Sequence, residues 1–304
     1  MIGLLWLLAC GGGPDDGEIV SARVRDATDA WTHYDVTYGS AGLRVAGQVV
    51  LPVGKGPWPI ALVAHGGFDG IDDATTDQLR VLARRGMAVF APEYRGEGGS
   101  EGEVEYCAGE VDDTLALLRV ADQWRDTDPD RVVAVGTSHG ACVSLLAASR
   151  TDRLAGVAAM GTPADVGFHI DWHHERGNHR FAREWEGYLR DDGRAQSPMY
   201  HADTMDLPVV LLHGLDDVTV PLLQACMMRD ALAGHMEVAS YRMTPDGELL
   251  GELADCQGVG MSGDWHAAPQ MDDGVVLVSV EGAAHKPSAD QWHRAFDALE
   301  HWVR

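Results

Sequence analysis

Apolar residues in this chain fall mostly in short unbroken runs. Positions 132–135 (VVAV), 209–212 (VVLL) and 275–280 (VVLVSV) are too short for helices, and their β-branched content predicts buried strands. The same reading gives strands over 59–64, 87–91, 154–160, 208–212 and 237–242. Between them lie segments with apolar residues three and four apart, such as Leu79, Leu82 and Ala83 within 75–85, or Val111, Leu115, Leu118 and Ala121 within 110–124. These predict helices, as do 141–148, 221–232 and 289–303. Strand and helix in alternation predict an α/β fold, with a mostly parallel central sheet covered by helices on both faces. Ahead of it, 32–38 and 43–51 flank the turn Gly39-Ser40-Ala41-Gly42 and predict an antiparallel hairpin. Two stretches break the pattern: 161–205, rich in Trp, His, Arg and Glu, predicts a small helical cap, and 243–273 is an irregular insert.

The N-terminal apolar run 2–8 has a different character, because it leads directly into Ala9-Cys10-Gly11. That junction resembles the lipobox of bacterial lipoproteins. The resemblance implies a signal peptide over 1–9 and lipidation of Cys10; Asp15, Asp16 and Glu18 then mark a polar tether over 10–30, and 31–304, with no linker long enough to divide it, is expected to form one domain. The protein would then sit in the bacterial cell envelope, held on a membrane surface by acyl chains; without processing the same chain would be cytoplasmic. No run approaches the roughly 18 apolar residues of a membrane-spanning helix. The net charge of −24 repels phosphate backbones and excludes a nucleic-acid binder that works by counterion release. Cys107, Cys142, Cys226 and Cys256 contain no CxxC spacing, which argues against a cysteine zinc site and leaves any disulfide pairing open.

The chemistry begins where the strand 132–135 runs into Gly136-Thr137-Ser138-His139-Gly140 and then a helix. G-x-S-x-G at a strand-to-helix turn lifts a serine Oγ off the sheet, and side chains two positions either side would collide. The helix N-terminus favours negative charge, so the backbone N–H of His139 is a candidate oxyanion donor. Serine needs a base and an orienting acid to become a nucleophile. Both follow in chain order: the strand 209–212 ends in HGLDDVTVP, offering Asp216 or Asp217, and the strand 275–280 ends in EGAAHKP, offering His285.

These motifs, with AHGGF (64–68), APEYRGEGGSEG (91–102) and SPMYHAD (197–203), resemble the catalytic domain of the prolyl oligopeptidase family of serine peptidases. That family belongs to the α/β-hydrolase superfamily, whose dienelactone hydrolases and acyl esterases share much of the pattern. The resemblance implies an α/β-hydrolase fold, Ser138 as nucleophile, His285 as general base and, from HG-x-x-D-x-x-VP, Asp217 rather than Asp216 as the acid. It implies a peptide or ester substrate and no cofactor. His65 stands where prolyl-specific members carry a tyrosine that assists the oxyanion hole, so the second donor is expected from the backbone of Gly66 or Gly67. Residues 11–57 are too few for the β-propeller of those peptidases, which implies that local inserts control access. His266, in the second insert, follows no strand end and is the weaker base.

His169, His173, His174 and His179 raise a metal reading, since His169 and His173 share a helical face; they do not match HExxH, and a polar cap helix with Trp172 and Trp185 packed on the sheet or substrate is the favoured reading, with no metal. The rival to a serine hydrolase is a non-catalytic surface lipoprotein that binds a ligand on the same scaffold. Mass spectrometry of protein from its native cell tests the anchor. The expected mature chain starts at an acylated Cys10, and an intact, unacylated Met1 would overturn that expectation.

Overall fold

β-branched runs too short to wind as helices become the middle of one large sheet. The computed structural model describes residues 13–244, 249–252, 274–287 and 289–304. The chain opens with β1 (Ile19–Ala27), β2 (Trp31–Ser40), β3 (Leu43–Pro52) and β4 (Trp58–Ala64), then α1 (Asp73–Arg84), β5 (Ala88–Pro92) and α2 (Gly109–Asp122). β6 (Thr127–Thr137), α3 (His139–Ala148) and β7 (Leu154–Met160) follow, and then the cap helices α4 (Val166–Glu175) and α5 (His179–Glu186). The last part holds β8 (Val209–Gly214), α6 (Leu222–Leu232), β9 (Val238–Met243), β10 (Leu249–Glu252), β11 (Val275–Val280) and α7 (Ala289–Trp302).

The strands form one sheet in the order β1-β2-β3-β5-β4-β6-β7-β8-β11-β9-β10. From β5 to β9 every neighbour is parallel, and β1, β2, β3 and β10 are antiparallel additions at the two edges. Parallel strands buried on both faces read as continuous apolar runs because alternate side chains serve two cores. On β4, Ile60 and Leu62 join Ala134, Val157, Leu211 and Leu277 beneath α2, α3 and α6. Ala61 and Val63 turn the other way, with Val133, Val210 and Val276, beneath α1 and α7. The C-terminal ends of β6, β8 and β11 therefore meet at one edge, where helices on both faces leave a crevice.

Two expectations need correction. The segment expected as a polar tether holds β1, paired antiparallel along β2, so the antiparallel portion is a three-stranded meander and not a hairpin. β1 is an edge strand in which Val20, Ala22 and Val24 alternate with Ser21, Arg23 and Arg25, the period of a strand, although the apolar positions stay exposed. Residues ahead of it also belong to the domain: Asp16 pairs with Arg119 at 3.0 Å, and the Gly17 carbonyl accepts from Gln123 Nε2 at 2.7 Å. In the second insert, β9 runs to Met243 and β10 pairs back on it, while His266 and Cys256 lie outside the described residues.

A buried ionic knot holds the long loop between β5 and α2. Arg95 donates from Nη2 to Asp113 Oδ1 at 2.9 Å and from Nε to Oδ2 at 3.1 Å, and reaches Glu105 at 3.1 Å. Ser40 Oγ donates to the same Asp113 carboxylate at 2.6 Å, which ties the meander to α2. Burial pushes the Asp113 carboxyl upward, against which Arg95 acts. Removing one partner of a buried pair strands the other. Arg95→Ala is therefore expected to lower unfolding free energy by about 3–5 kcal/mol in urea denaturation; a change under about 1 kcal/mol would show that the knot is not a stability element.

Candidate active site

β6 ends at Thr137 and α3 begins at His139, so the chain turns within Ser138 alone. Its φ of 55° and ψ of −118° are costly for any residue with a side chain. Two glycines make the turn possible. A Cβ on Gly136 would stand 2.0 Å from the Gly140 carbonyl oxygen, and one on Gly140 would stand 2.0 Å from that of Ala64. The Ser138 N–H is held by the Met160 carbonyl of β7 at 2.7 Å.

Three residues expected from the sequence come together in front of this turn. His285 Nε2 lies 2.8 Å from Ser138 Oγ, and His285 Nδ1 lies 2.7 Å from Asp217 Oδ2. The other oxygen of Asp217 accepts the backbone N–H groups of Thr219 and Val220, both at 2.8 Å. Asp216 is exposed and engages Ala283 only through its backbone N–H, so Asp217 is the carboxylate in the chain of bonds. Burial would raise the Asp217 pKa, but the hydrogen bond and charge of His285, with His213 and the Val220 N–H, outweigh it and hold the group below its ordinary value. An ionised Asp217 accepting Nδ1–H leaves the Nε2 lone pair of His285 free to take a proton from the serine hydroxyl.

The expected oxyanion donors also border the turn. The His139 N–H opens α3, and the His65-Gly66-Gly67 loop abuts it: a Cβ on Gly66 would meet the Thr137 carbonyl oxygen at 2.8 Å and Ser138 Cβ at 3.3 Å. The ring of His139, which sequence alone did not single out, locks that loop. Its Nδ1–H donates to the Gly67 carbonyl at 3.2 Å, while Nε2 accepts the Cys107 N–H at 3.2 Å. Burial pushes this ring down to about 4, opposed only by the Gly67 bond, so it is neutral and its tautomer is fixed. A disulfide joins Cys107 to Cys142, one turn into α3, with Cα atoms 6.1 Å apart.

One half-buried and one buried carboxylate grip the far end of the loop. Glu93 accepts the Ile71 N–H and Glu97 the Gly70 N–H, each at 2.7 Å. Burial raises Glu97 from 4.5 to about 8, with the Gly70 bond opposing and Glu110, Glu93 and Asp69 adding to the rise. His65, 3.9 Å from Glu97, is pushed down to about 4, also by burial.

Ser138 and His285 open into a cavity of about 640 Å³ between sheet and cap. Phe68 on the loop, Phe181 and Trp185 on α5 and Trp292 on α7 line it with aromatic surface. Trp185 thus faces the cavity as expected, whereas Trp172 lies against Arg176, 4.1 Å from its ring centroid. His173 donates from Nε2 to the Thr219 carbonyl at 2.8 Å, and His169 is fully buried against it and Trp185. Burial, with the charges of His173 and His285, pushes His169 down to about 3. Among the described residues no group of three or more His, Cys, Asp or Glu is arranged to hold a metal.

The geometry agrees with what comparison finds. The model of the prolyl oligopeptidase family matches residues 74–248. The chain belongs to the prolyl oligopeptidase family. Among curated relatives of this family member is the uncharacterized peptidase YtmA of Bacillus subtilis, 25% identical over 205 residues, 66% of this chain and 79% of the relative. Among solved structures, the Pyrococcus horikoshii acylaminoacyl peptidase superposes with a TM-score of 0.66 at 16% identity, over 90% of this chain and 42% of its own. The chain thus spans less than half of that protein's length. A Pyrococcus furiosus esterase superposes with a TM-score of 0.65 at 13% identity, over 96% of this chain and 98% of its own. These structural likenesses carry the α/β-hydrolase fold; membership of the family carries the class, a serine hydrolase acting on peptide or ester bonds.

Glu97 offers a test of the electrostatics around the loop. Folded, it keeps its proton to about pH 8, while its ordinary value is 4.5, so the folded state binds the extra proton between those values. Stability contributed this way is complete at low pH and lost as pH rises through that window. Glu97→Gln, which cannot ionise, is expected to lose less unfolding free energy than the wild type between about pH 5 and about pH 9 in urea titrations. Parallel pH profiles would overturn the assignment.

Proposed function

We propose that this family member hydrolyses its substrate through an acyl-enzyme on Ser138. The single observation that carries the reading is the continuous hydrogen-bonded chain Ser138–His285–Asp217 at the mouth of the cavity. His285 takes the Oγ proton as Ser138 attacks the scissile carbonyl, and delivers that proton to the departing amine or alcohol as the acyl bond breaks. A water then enters, gives its proton to His285 and its hydroxyl to the acyl carbon. Ser138 leaves with the returned proton. Asp217 stays ionised throughout and steadies the imidazolium. The His139 N–H, with Gly66 or Gly67, receives the charge that develops on the carbonyl oxygen.

Fixing all three residues about one strained serine supports catalysis over mere ligand binding, since a binding surface needs none of these bonds. Cleavage after proline is not specially supported, because His65 is buried, its ring tilted against Tyr94 with centroids 4.3 Å apart. The Ala9-Cys10-Gly11 sequence supports a lipid anchor that would hold this hydrolase at a cell-envelope membrane.

A fluorophosphonate probe is expected to form a stable adduct on Ser138, located by peptide mass, and none in Ser138→Ala. Asp217→Asn is expected to keep the fold and lose about 10⁴-fold in kcat, from the wrong histidine tautomer. Folded wild-type protein that takes no label would refute the mechanism.

A further inference from the structure

The charges around the cavity are lopsided in a way that the triad does not require. Asp69 and Asp72 reach it from the loop that follows His65-Gly66-Gly67, and Glu184 from α5, across the aromatic lining. Against these three carboxylates stands a single Lys or Arg among the described lining residues, Lys286, next to the catalytic histidine. Lys286 is already answered by Asp72. The carboxylate of Asp72 caps α1 by accepting the Thr75 N–H at 2.7 Å; that bond chiefly, and then the charge of Lys286, hold it below its ordinary value. Asp69 and Glu184 are exposed and have no ion-pair partner among the described residues. Two uncompensated negative charges therefore flank the aromatic cavity into which Ser138 opens.

We propose that the cavity selects substrates whose acyl part joins a bulky apolar or aromatic group to a cationic amine, and rejects those that carry a carboxylate near the scissile bond. The proposal rests on the serine hydrolase reading and adds the charge class of its substrate. An aromatic ring packs on Phe181, Trp185 and Trp292, while a nearby ammonium group meets Asp69 and Glu184 and can also lie over an aromatic face. A carboxylate in the same place is repelled by both. The net charge of −24 adds a long-range field of the same sign, so local and global effects must be separated.

Three aryl esters separate them: those of phenylalanine with a free amine, N-acetyl-phenylalanine and N-succinyl-phenylalanine. They present a cation, a neutral group and an anion on one aromatic acyl part. At low salt kcat/KM is expected to fall in that order, by about tenfold or more from first to last, and the spread to narrow as salt screens the charges. Asp69→Asn with Glu184→Gln changes the net charge by the same amount as Asp152→Asn with Asp206→Asn, a pair of exposed residues that do not line the cavity. The first pair is expected to shrink the amine-to-succinyl ratio about threefold or more, and the second to leave it within experimental error. A ratio near one in the wild type, or an equal drop in both double variants, would overturn charge selection by the cavity. Turnover of the acetyl ester with a flat ratio overturns this proposal and leaves the hydrolase standing. No turnover of any ester overturns this proposal, and a missing fluorophosphonate adduct besides overturns the hydrolase reading as well.

Discussion

Ser138 is held in a backbone conformation that a residue with a side chain adopts only when its surroundings leave no alternative. The cost is on the order of 1–3 kcal/mol, and three neighbours over-determine it. β6 lies in the middle of the sheet and cannot shift; α3 starts at the next residue and cannot unwind without losing its first turn; and Gly140 sits so close to the Ala64 carbonyl that a methyl group would not fit. This last contact does more than admit the turn. Because Ala64 ends β4, the His65-Gly66-Gly67 loop emerges beside Ser138, and one close backbone approach sets both the serine Oγ and the N–H groups proposed as oxyanion donors.

A loop placed that close must also be kept still, and the contacts nearest Ser138 are buried and uncharged. The His139 ring spans from Gly67 to Cys107 as a neutral donor and acceptor, and the disulfide anchors Cys107 to the helix that carries Ser138. Phe68 packs on that ring, with centroids 5.1 Å apart, and on Trp185 of the cap at 5.5 Å. Glu97 keeps its proton because its neighbours are acidic and water is excluded, so the grip on Gly70 adds no full charge beside the developing oxyanion. Preorganised neutral dipoles of this sort stabilise a transient negative charge without opposing it.

Such neutral, long-range supports leave little trace in a sequence. The proposed nucleophile and base were legible because each follows a strand whose apolar run is unmistakable, whereas the strand end alone left Asp216 and Asp217 open and the resemblance to the family's HG-x-x-D-x-x-VP pattern pointed to Asp217. β1 was not, although Val20, Ala22 and Val24 alternate with polar residues, because only three small apolar side chains mark the run and they stay exposed at the sheet edge. The ring of His139 was equally hidden: its position in G-x-S-x-G marks the backbone N–H, while the partners of its side chain come from 72 and 32 residues away. The four cysteines allowed several pairings, and only the fold brings Cys107 against α3. The cap was legible as a helical excursion that carries Trp185 to the cavity, but not the Phe181 that lines the cavity beside it.

The cap also acts on the far side of the catalytic chain. His173 on α4 donates to the Thr219 carbonyl, and the N–H of the same residue donates to Asp217. Thr219 is therefore clamped between the helix that helps cover the cavity and the carboxylate that orients His285. Buried His169 and His213, both driven toward their neutral forms by desolvation, surround this carboxylate without a competing full charge. The partner that Asp217 can stabilise electrostatically is then His285 once it becomes imidazolium, at the moment the serine proton moves. An acidic surface is consequently compatible with the triad: the exposed charges lie where water screens them, while the histidines packed about Asp217 are neutral, so this carboxylate acts on the histidine that must change its charge.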